Sequence, residues 1–166
     1  MATVKAKRLS SAEKHALALR NWPDLAKKGC GIAGKLWRAA DHVRDVVTPK
    51  IVRHGIQLGD FEVLFILRIF GPPYALSPTQ IYRVRCCSSG GLTKILHRLK
   101  KSHLIERYPN PKDKRSELVR LTPKGKRVVE AAMDSVARLE TNLLARFDRR
   151  EKDMLTTLLD KLLTAI

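Results

Sequence analysis

From about Gly31, the apolar residues Ile32, Leu36, Ala39, Val43, Val47 and Ile51 recur every three or four positions, the spacing of one face of a long helix. Thr48-Pro49 is expected to end or kink it, because proline removes a backbone donor and crowds the preceding turn. Upstream, Ser10 and Glu13 have capping-box spacing and predict a short helix from Ser11 to about Arg20, closed by Trp22-Pro23-Asp24. Residues 1–9 read as a polar, basic arm. Downstream, Asp60 is the expected N-cap of a helix over 61–70. Val63, Leu64, Phe65, Ile66, Leu67 and Ile69 leave it almost no polar face, so burial nearly all round is expected. Gly71-Pro72-Pro73 stops it. Ser77-Pro78 then supplies an N-cap and an N1 proline for a helix over 78–86.

Ser88 or Ser89 is the expected cap of a further helix to about Ser102. Leu92, Ile95, Leu96 and Leu99 form its apolar stripe, while Thr93, Lys94, His97, Arg98 and Lys101 project elsewhere. Leu104–Tyr108 and Glu117–Leu121 read as two strands around a turn at 109–114. Thr122-Pro123 opens a helix reaching to Phe147, with the stripe Val128, Ala132, Val136, Leu139 and Leu143. A strongly amphipathic terminal helix is predicted from the spacing of Met154, Leu155, Leu158, Leu159, Leu162, Leu163 and Ile166.

Charge adds a binding partner to this picture. Lys and Arg total 33 against 16 Asp and Glu, a formal +17 in 166 residues. Such a field attracts polyanions. Residues 81–127 alone hold 14 Lys/Arg and 3 Asp/Glu, so the charge is concentrated on the segment of two short helices and a hairpin. Hydrophobic residues at 44% suffice for a core, and no apolar run approaches the ~20 residues that span a bilayer. Basic Lys5, Lys7 and Arg8 are followed by no apolar run, so no secretory signal is expected and a soluble, cytoplasmic, nucleoid-associated protein is.

Three cysteines, Cys30, Cys86 and Cys87, are odd in number with two adjacent, which argues against a disulfide framework and for reduced thiols. Cys30, near basic Lys27 and Lys28, stands as a candidate oxidant sensor beside the plainer reading of a packing residue. His15, His42, His54, His97 and His103 are scattered without metal spacing. No nucleophile elbow or phosphate loop is present, so neither catalysis nor a cofactor is expected.

Two short helices joined by a small turn, followed by a hairpin with a basic loop, match a helix-turn-helix with a wing. Ser88, Ser89, Gly90 and Gly91 are small residues at the start of the second helix, where free N–H groups favour phosphate. The stretch 88–104, Ile105-Glu106-Arg107, Pro111-Lys112-Asp113-Lys114-Arg115 and Val119 to Gly125 resemble the MarR family of winged-helix regulators. Asp113-x-Arg115 and Leu121-Thr122-Pro123-x-Gly125 are the most specific pieces. Trp22-Pro23-Asp24, Gly71-Pro72-Pro73-Tyr74 and Ser88-Ser89-Gly90-Gly91 look like a PecS-like branch with an N-terminal extension.

The resemblance implies a mainly α fold with a small β-wing, a winged helix-turn-helix with a helical dimerisation bundle. It implies a homodimer on a pseudo-palindromic operator in double-stranded DNA, with half-sites about one helical turn apart. It places Ser88, Ser89, Thr93, Lys94, His97 and Arg98 on the groove face of the recognition helix. Lys112 and Lys114 fall in the wing loop, Arg115 matches an arginine entering the minor groove, and Asp113 matches the acid that orients it. Lys94-Ile95 departs from the Asn-Arg often found after the helix threonine, so the sequence read should differ. Cys86 and Cys87 replace aliphatic residues.

The expected division is a basic extension over 1–21, a dimerisation region over 22–56 and 123–166, and the DNA-binding head over 57–122. Trp37, Arg38, His42, Phe61 and Phe65 are candidates for a cleft taking a small aromatic or carboxylate effector, since an aromatic beside a cation suits such a ligand. For any one of them the plainer reading is Trp37 and Phe61 in the core and Arg38 and His42 on the surface. The expected function is a regulator, a repressor released by ligand. A sequence-neutral architectural nucleic-acid binder and a thiol-based redox regulator are the alternatives.

Overall fold

The structure is a computed structural model and describes residues 9, 11–24, 31–85, 89–111 and 113–164. Its elements are α1 (Ser11–Asn21), α2 (Gly31–Val52), α3 (Leu58–Ile69), β1 (Ala75–Leu76), α4 (Pro78–Arg85), α5 (Ser89–Lys101), β2 (Ile105–Asn110), β3 (Asp113–Leu121), α6 (Pro123–Leu143) and α7 (Arg149–Thr164). The chain divides into two compact units, Met1–Pro49 and Lys50–Ile166. The division therefore falls within α2, and α6 and α7 belong to the same unit as the helix-turn-helix and hairpin.

In the first unit, α1 and most of α2 present apolar side chains to solvent. Leu17, Leu19, Ile32, Trp37 and Val43 are all exposed, Ile32 at 78% and Trp37 at 75%. The expectation that Trp37 is core does not hold within this chain. Pro49 does not terminate α2, which continues to Val52. Thr48 Oγ1 donates to the Arg44 carbonyl at 2.7 Å, supporting the turn that proline weakens. The helix stops where Gly55 takes a φ of 75°, a left-handed conformation that costs a glycine little.

The second unit has one core, built from Ile51, Val63, Leu64, Leu67, Ile81, Leu96, Leu99, Ile105, Val119 and Val129. The α3 helix starts three residues before its expected first residue. Gln57 is the N-cap, and Asp60 is the N3 residue whose carboxylate reaches back to accept from the Gln57 N–H at 2.9 Å. Nor is α3 buried all round, since Ile69 and Phe70 are 57% and 53% exposed at its end. Ser77 caps α4 as expected: its Oγ accepts from the Gln80 N–H while Gln80 Oε1 accepts from the Ser77 N–H. The helix ends at Arg85, and α5 begins at Ser89.

The antiparallel sheet has the order β1-β3-β2. Its hairpin is longer than its alternation suggests. Pro109 pairs with Glu117 and Asn110 with Asp113, with an irregularity between Pro109 and Asn110. Proline is tolerated there because β2 is an edge strand whose missing donor faces away from the ladder. The two-residue β1, paired to β3 through Ala75↔Arg120 and Leu76↔Val119, was not anticipated.

The exit from the sheet is tightly determined. Thr122 Oγ1 accepts from the Gly125 N–H at 3.0 Å, capping α6. Gly125 lies against the Leu104 carbonyl so closely that a Cβ would stand 2.0 Å from its oxygen. This contact is the physical content of the Leu121-Thr122-Pro123-x-Gly125 motif. The α6 helix ends at Leu143, short of Phe147, and α7 has no buried residue.

Candidate DNA interface

The α5 helix is amphipathic in the expected sense. Leu92, Ile95, Leu96 and Leu99 are buried, and Thr93, Lys94 and His97 are exposed. Its far end is held by Lys124, whose Nζ donates to the Ser102 carbonyl at 3.0 Å, a cation at a helix C-terminus. Ser88 and Lys112 lie outside the described residues, as do Cys30, Cys86 and Cys87; the side chains of Ser89 and Lys114 are likewise not described.

Arg98 does not project simply into solvent. Its Nε donates to both carboxylate oxygens of Asp60 at 3.0 Å, and a second guanidinium nitrogen reaches Oδ1 at 2.6 Å. The Asp60 side chain is 3% exposed and that of Arg98 40%. The hydrogen bond to Asp60 holds the guanidinium pKa above its ordinary value. A buried carboxylate thus joins the start of α3 to the last turn of α5. Sequence reading missed this link, although an acid opening an otherwise apolar helix demands a partner.

The wing tip is a closed set of hydrogen bonds. Asn110 Nδ2 donates to Ser116 Oγ at 3.0 Å, and Ser116 Oγ donates to the Asp113 carbonyl at 3.1 Å. Asp113 Oδ1 accepts from the Arg115 backbone N–H at 3.1 Å and from its Nε at 3.3 Å. These donors, the backbone N–H first, hold the Asp113 carboxyl below its ordinary pKa. The Arg115 side chain is nevertheless 94% exposed. The clasp restrains its base and leaves the guanidinium outward. Along the hairpin, Arg120 pairs with Glu106 at 2.7 Å and stands over the Tyr108 ring, while Arg107 pairs with Glu117 at 3.3 Å.

The five effector candidates fall in both units. Trp37, Arg38 and His42 are on α2 in the first, where Arg38 Nε donates to the Gly34 carbonyl at 3.3 Å and His42 is exposed. Phe61 and Phe65 are half-buried on α3 in the second, their rings stacked with centroids 5.9 Å apart. Among the described residues no group of three His, Cys, Asp or Glu is placed to hold a metal ion. No described helix is long and apolar enough to cross a membrane.

A helix pair with an exposed polar face on its second member, backed by a hairpin that holds up an arginine, defines the winged helix-turn-helix class. The MarR family model matches residues 56–116. The multiple antibiotic resistance protein MarR of Escherichia coli K12 is 33% identical over 109 residues, covering 65% of this chain and 74% of its own length. The transcriptional regulator PecS of Dickeya dadantii is 28% identical over 139 residues, 84% of each chain. Among solved structures, a cysteine-to-serine mutant of E. coli MarR complexed with operator DNA superposes with a TM-score of 0.68 at 27% identity, covering 89% of this chain and 98% of that one. The chain belongs to the MarR family of winged-helix transcriptional regulators, with a PecS-like relationship, and members of that family are DNA-binding proteins and not enzymes.

Proposed function

We propose that this protein binds a pseudo-palindromic operator as a homodimer and represses the genes beside it. In this reading α5 enters the major groove and presents Thr93, Lys94 and His97 to base edges and phosphates, with Ser88 and Ser89 at its leading end. Arg98 serves the same helix from behind, through Asp60, with its remaining donor capacity turned to the duplex. Lys112, Lys114 and Arg115 follow the adjacent backbone and minor groove. The observation that carries the reading is the wing tip, where Asp113 restrains a guanidinium that stays 94% exposed. A cation raised on a two-stranded support suits a narrow groove of negative potential. The operator complex of a MarR relative with a closely similar fold supports it.

Homodimerisation is supported by the apolar residues that the chain alone leaves uncovered on α2 and α7, among them Ile32, Trp37, Leu158 and Leu163. Release by a small aromatic or carboxylate effector completes the proposal. Such a ligand acts only by preferring a dimer whose two heads are wrongly spaced for the operator. The test is Arg115→Ala, with affinity measured over a series of salt concentrations. The expected result is a loss of about tenfold or more at physiological salt and a salt slope shallower by roughly two, one for the Arg115 of each protomer. Unchanged affinity removes the wing from the interface.

A further inference from the structure

The segment Gly71-Pro72-Pro73-Tyr74 has no part in DNA reading as proposed above, yet Tyr74 stands where four pieces of the head meet. Its φ is 59°, in the left-handed region that a residue with a Cβ seldom adopts. Its N–H donates to the Gly71 carbonyl at 2.6 Å, and its carbonyl accepts from the N–H of Leu121, the last residue of β3, at 3.0 Å. The ring carries two cations: Arg68 of α3 and Lys126 of α6 each stand over it, 5.3 Å from its centroid. Arg68 also donates from Nε to Glu130 of α6 at 2.7 Å, one helical turn beyond Lys126. The hydrogen bond to Glu130 and the nearby tyrosine both favour the charged guanidinium. The aromatic ring, its two cations and the carboxylate thus tie α6 sideways to α3 and to the link leading into β1.

This placement matters because α6 leaves the head at Thr122 and runs 21 residues before the chain turns into α7, which has no buried residue. At 1.5 Å per residue that is a lever of about 31 Å, so a tilt of only ~6° at its base displaces the far end by roughly 3.4 Å, about one base-pair rise. Apart from the Thr122 cap, what resists such a tilt at the α6 base includes this cluster. We infer that Tyr74 is a positioning residue for operator spacing: with Arg68, Lys126 and Glu130 it fixes the angle at which α6 leaves the DNA-reading head, and so the separation of the two recognition helices. The inference rests on the homodimer–operator reading above.

The experiment uses the full chain as wild type, Tyr74→Phe, Tyr74→Leu and Lys126→Met. The probe is a set of synthetic duplexes carrying two copies of the half-site that wild type selects from random DNA, with separations stepped by one base pair. Wild type is expected to prefer one separation over its neighbours by about tenfold or more, because each added base pair shifts the second half-site by ~3.4 Å and rotates it about the duplex axis. Tyr74→Leu is expected to reduce that preference below about threefold while its single half-site preference stays as in wild type, and Tyr74→Phe to retain the wild-type profile.

A Tyr74→Leu protein that melts earlier but keeps the wild-type separation profile overturns the inference, since a merely structural tyrosine gives that result. Should Tyr74→Leu fail to fold, Lys126→Met decides. It removes one cation from the ring without touching the strained backbone, and an unchanged profile there overturns the inference equally. Wild type that selects no paired half-sites defeats the operator reading itself, a result distinct from failure of the brace.

Discussion

Replacing Asp60 by Ala tests whether the buried link from α3 to the recognition helix holds that helix in place. The change removes the acceptor for the Gln57 N–H at 2.9 Å and for three donor contacts from Arg98 between 2.6 and 3.0 Å. Breaking a fully buried pair from one side costs about 3–5 kcal/mol. Here the Arg98 side chain is 40% exposed and rehydrates, which lowers that share to about 2–3 kcal/mol. Loss of the capping interaction adds about 1 kcal/mol. The total of roughly 3–4 kcal/mol corresponds to a midpoint lower by about 10 °C for a chain of this size.

The assay is thermal unfolding by circular dichroism at fixed protein concentration, since the proposed dimerisation makes the midpoint concentration-dependent. Arg98→Met is expected to cost more than Asp60→Ala, because it strands a carboxylate that is 3% exposed rather than a cation that can reach water. The double variant should be more stable than the sum of the single effects implies, by about 2 kcal/mol. Single effects that add within about 0.5 kcal/mol would refute the link as an energetic coupling.

Three further outcomes are expected. Gly125→Ala should abolish soluble folded protein or cost at least about 3 kcal/mol, because the new Cβ would stand 2.0 Å from the Leu104 oxygen in backbone that cannot turn aside; a near-normal melting curve contradicts this close approach. Thr122→Ala, which removes the cap on the Gly125 N–H together with the hydroxyl's donation to the His103 and Leu104 carbonyls, should cost about 1–2 kcal/mol by the same assay, and no measurable change would deny these contacts their role. The wing clasp should survive mild acid. Its carboxylate has a folded pKa below the ordinary 3.8, so its contribution is present above that value and is lost only as pH falls through the lowered one. An Asp113 carboxyl signal titrating by NMR at or above 3.8 contradicts that.

The helices were legible wherever a stripe of side chains and a cap agreed. Leu92, Ile95, Leu96 and Leu99 are buried on α5 as their spacing requires, and Ser77 and Thr122 cap the helices they precede. Strand β1 was not legible, because two residues have no period; they are extended through their pairing with Val119 and Arg120. Pro109 read as turn because proline is a turn residue in isolation, whereas an edge strand accepts it.

Asp60 read as an N-cap because acids favour both the cap and the first turn, and the distinction lies in which backbone N–H its carboxylate reaches. In the site, helical phase alone predicted that Thr93, Lys94 and His97 stand exposed on α5, while their place on a DNA-reading face came from the family resemblance. The attachment of Arg98 to Asp60 was not, because the partners are 38 residues apart and no local rule joins them. Ile32 read as part of the apolar face of a long helix and Trp37 as a core or effector-cleft residue, yet both are exposed in this chain, and what the sequence pattern could not supply is which surface covers them.

The central claim, that this protein reads DNA sequence, is tested most directly by a mobility-shift titration of the full chain on DNA from upstream of its own gene, with random duplex as competitor. The account predicts a complex that persists until random duplex exceeds the specific fragment by about 10³-fold or more, the margin expected of a sequence-reading regulator. A complex that random duplex removes as readily as the specific fragment does would contradict it, and would make the protein a sequence-neutral binder held by its charge of +17.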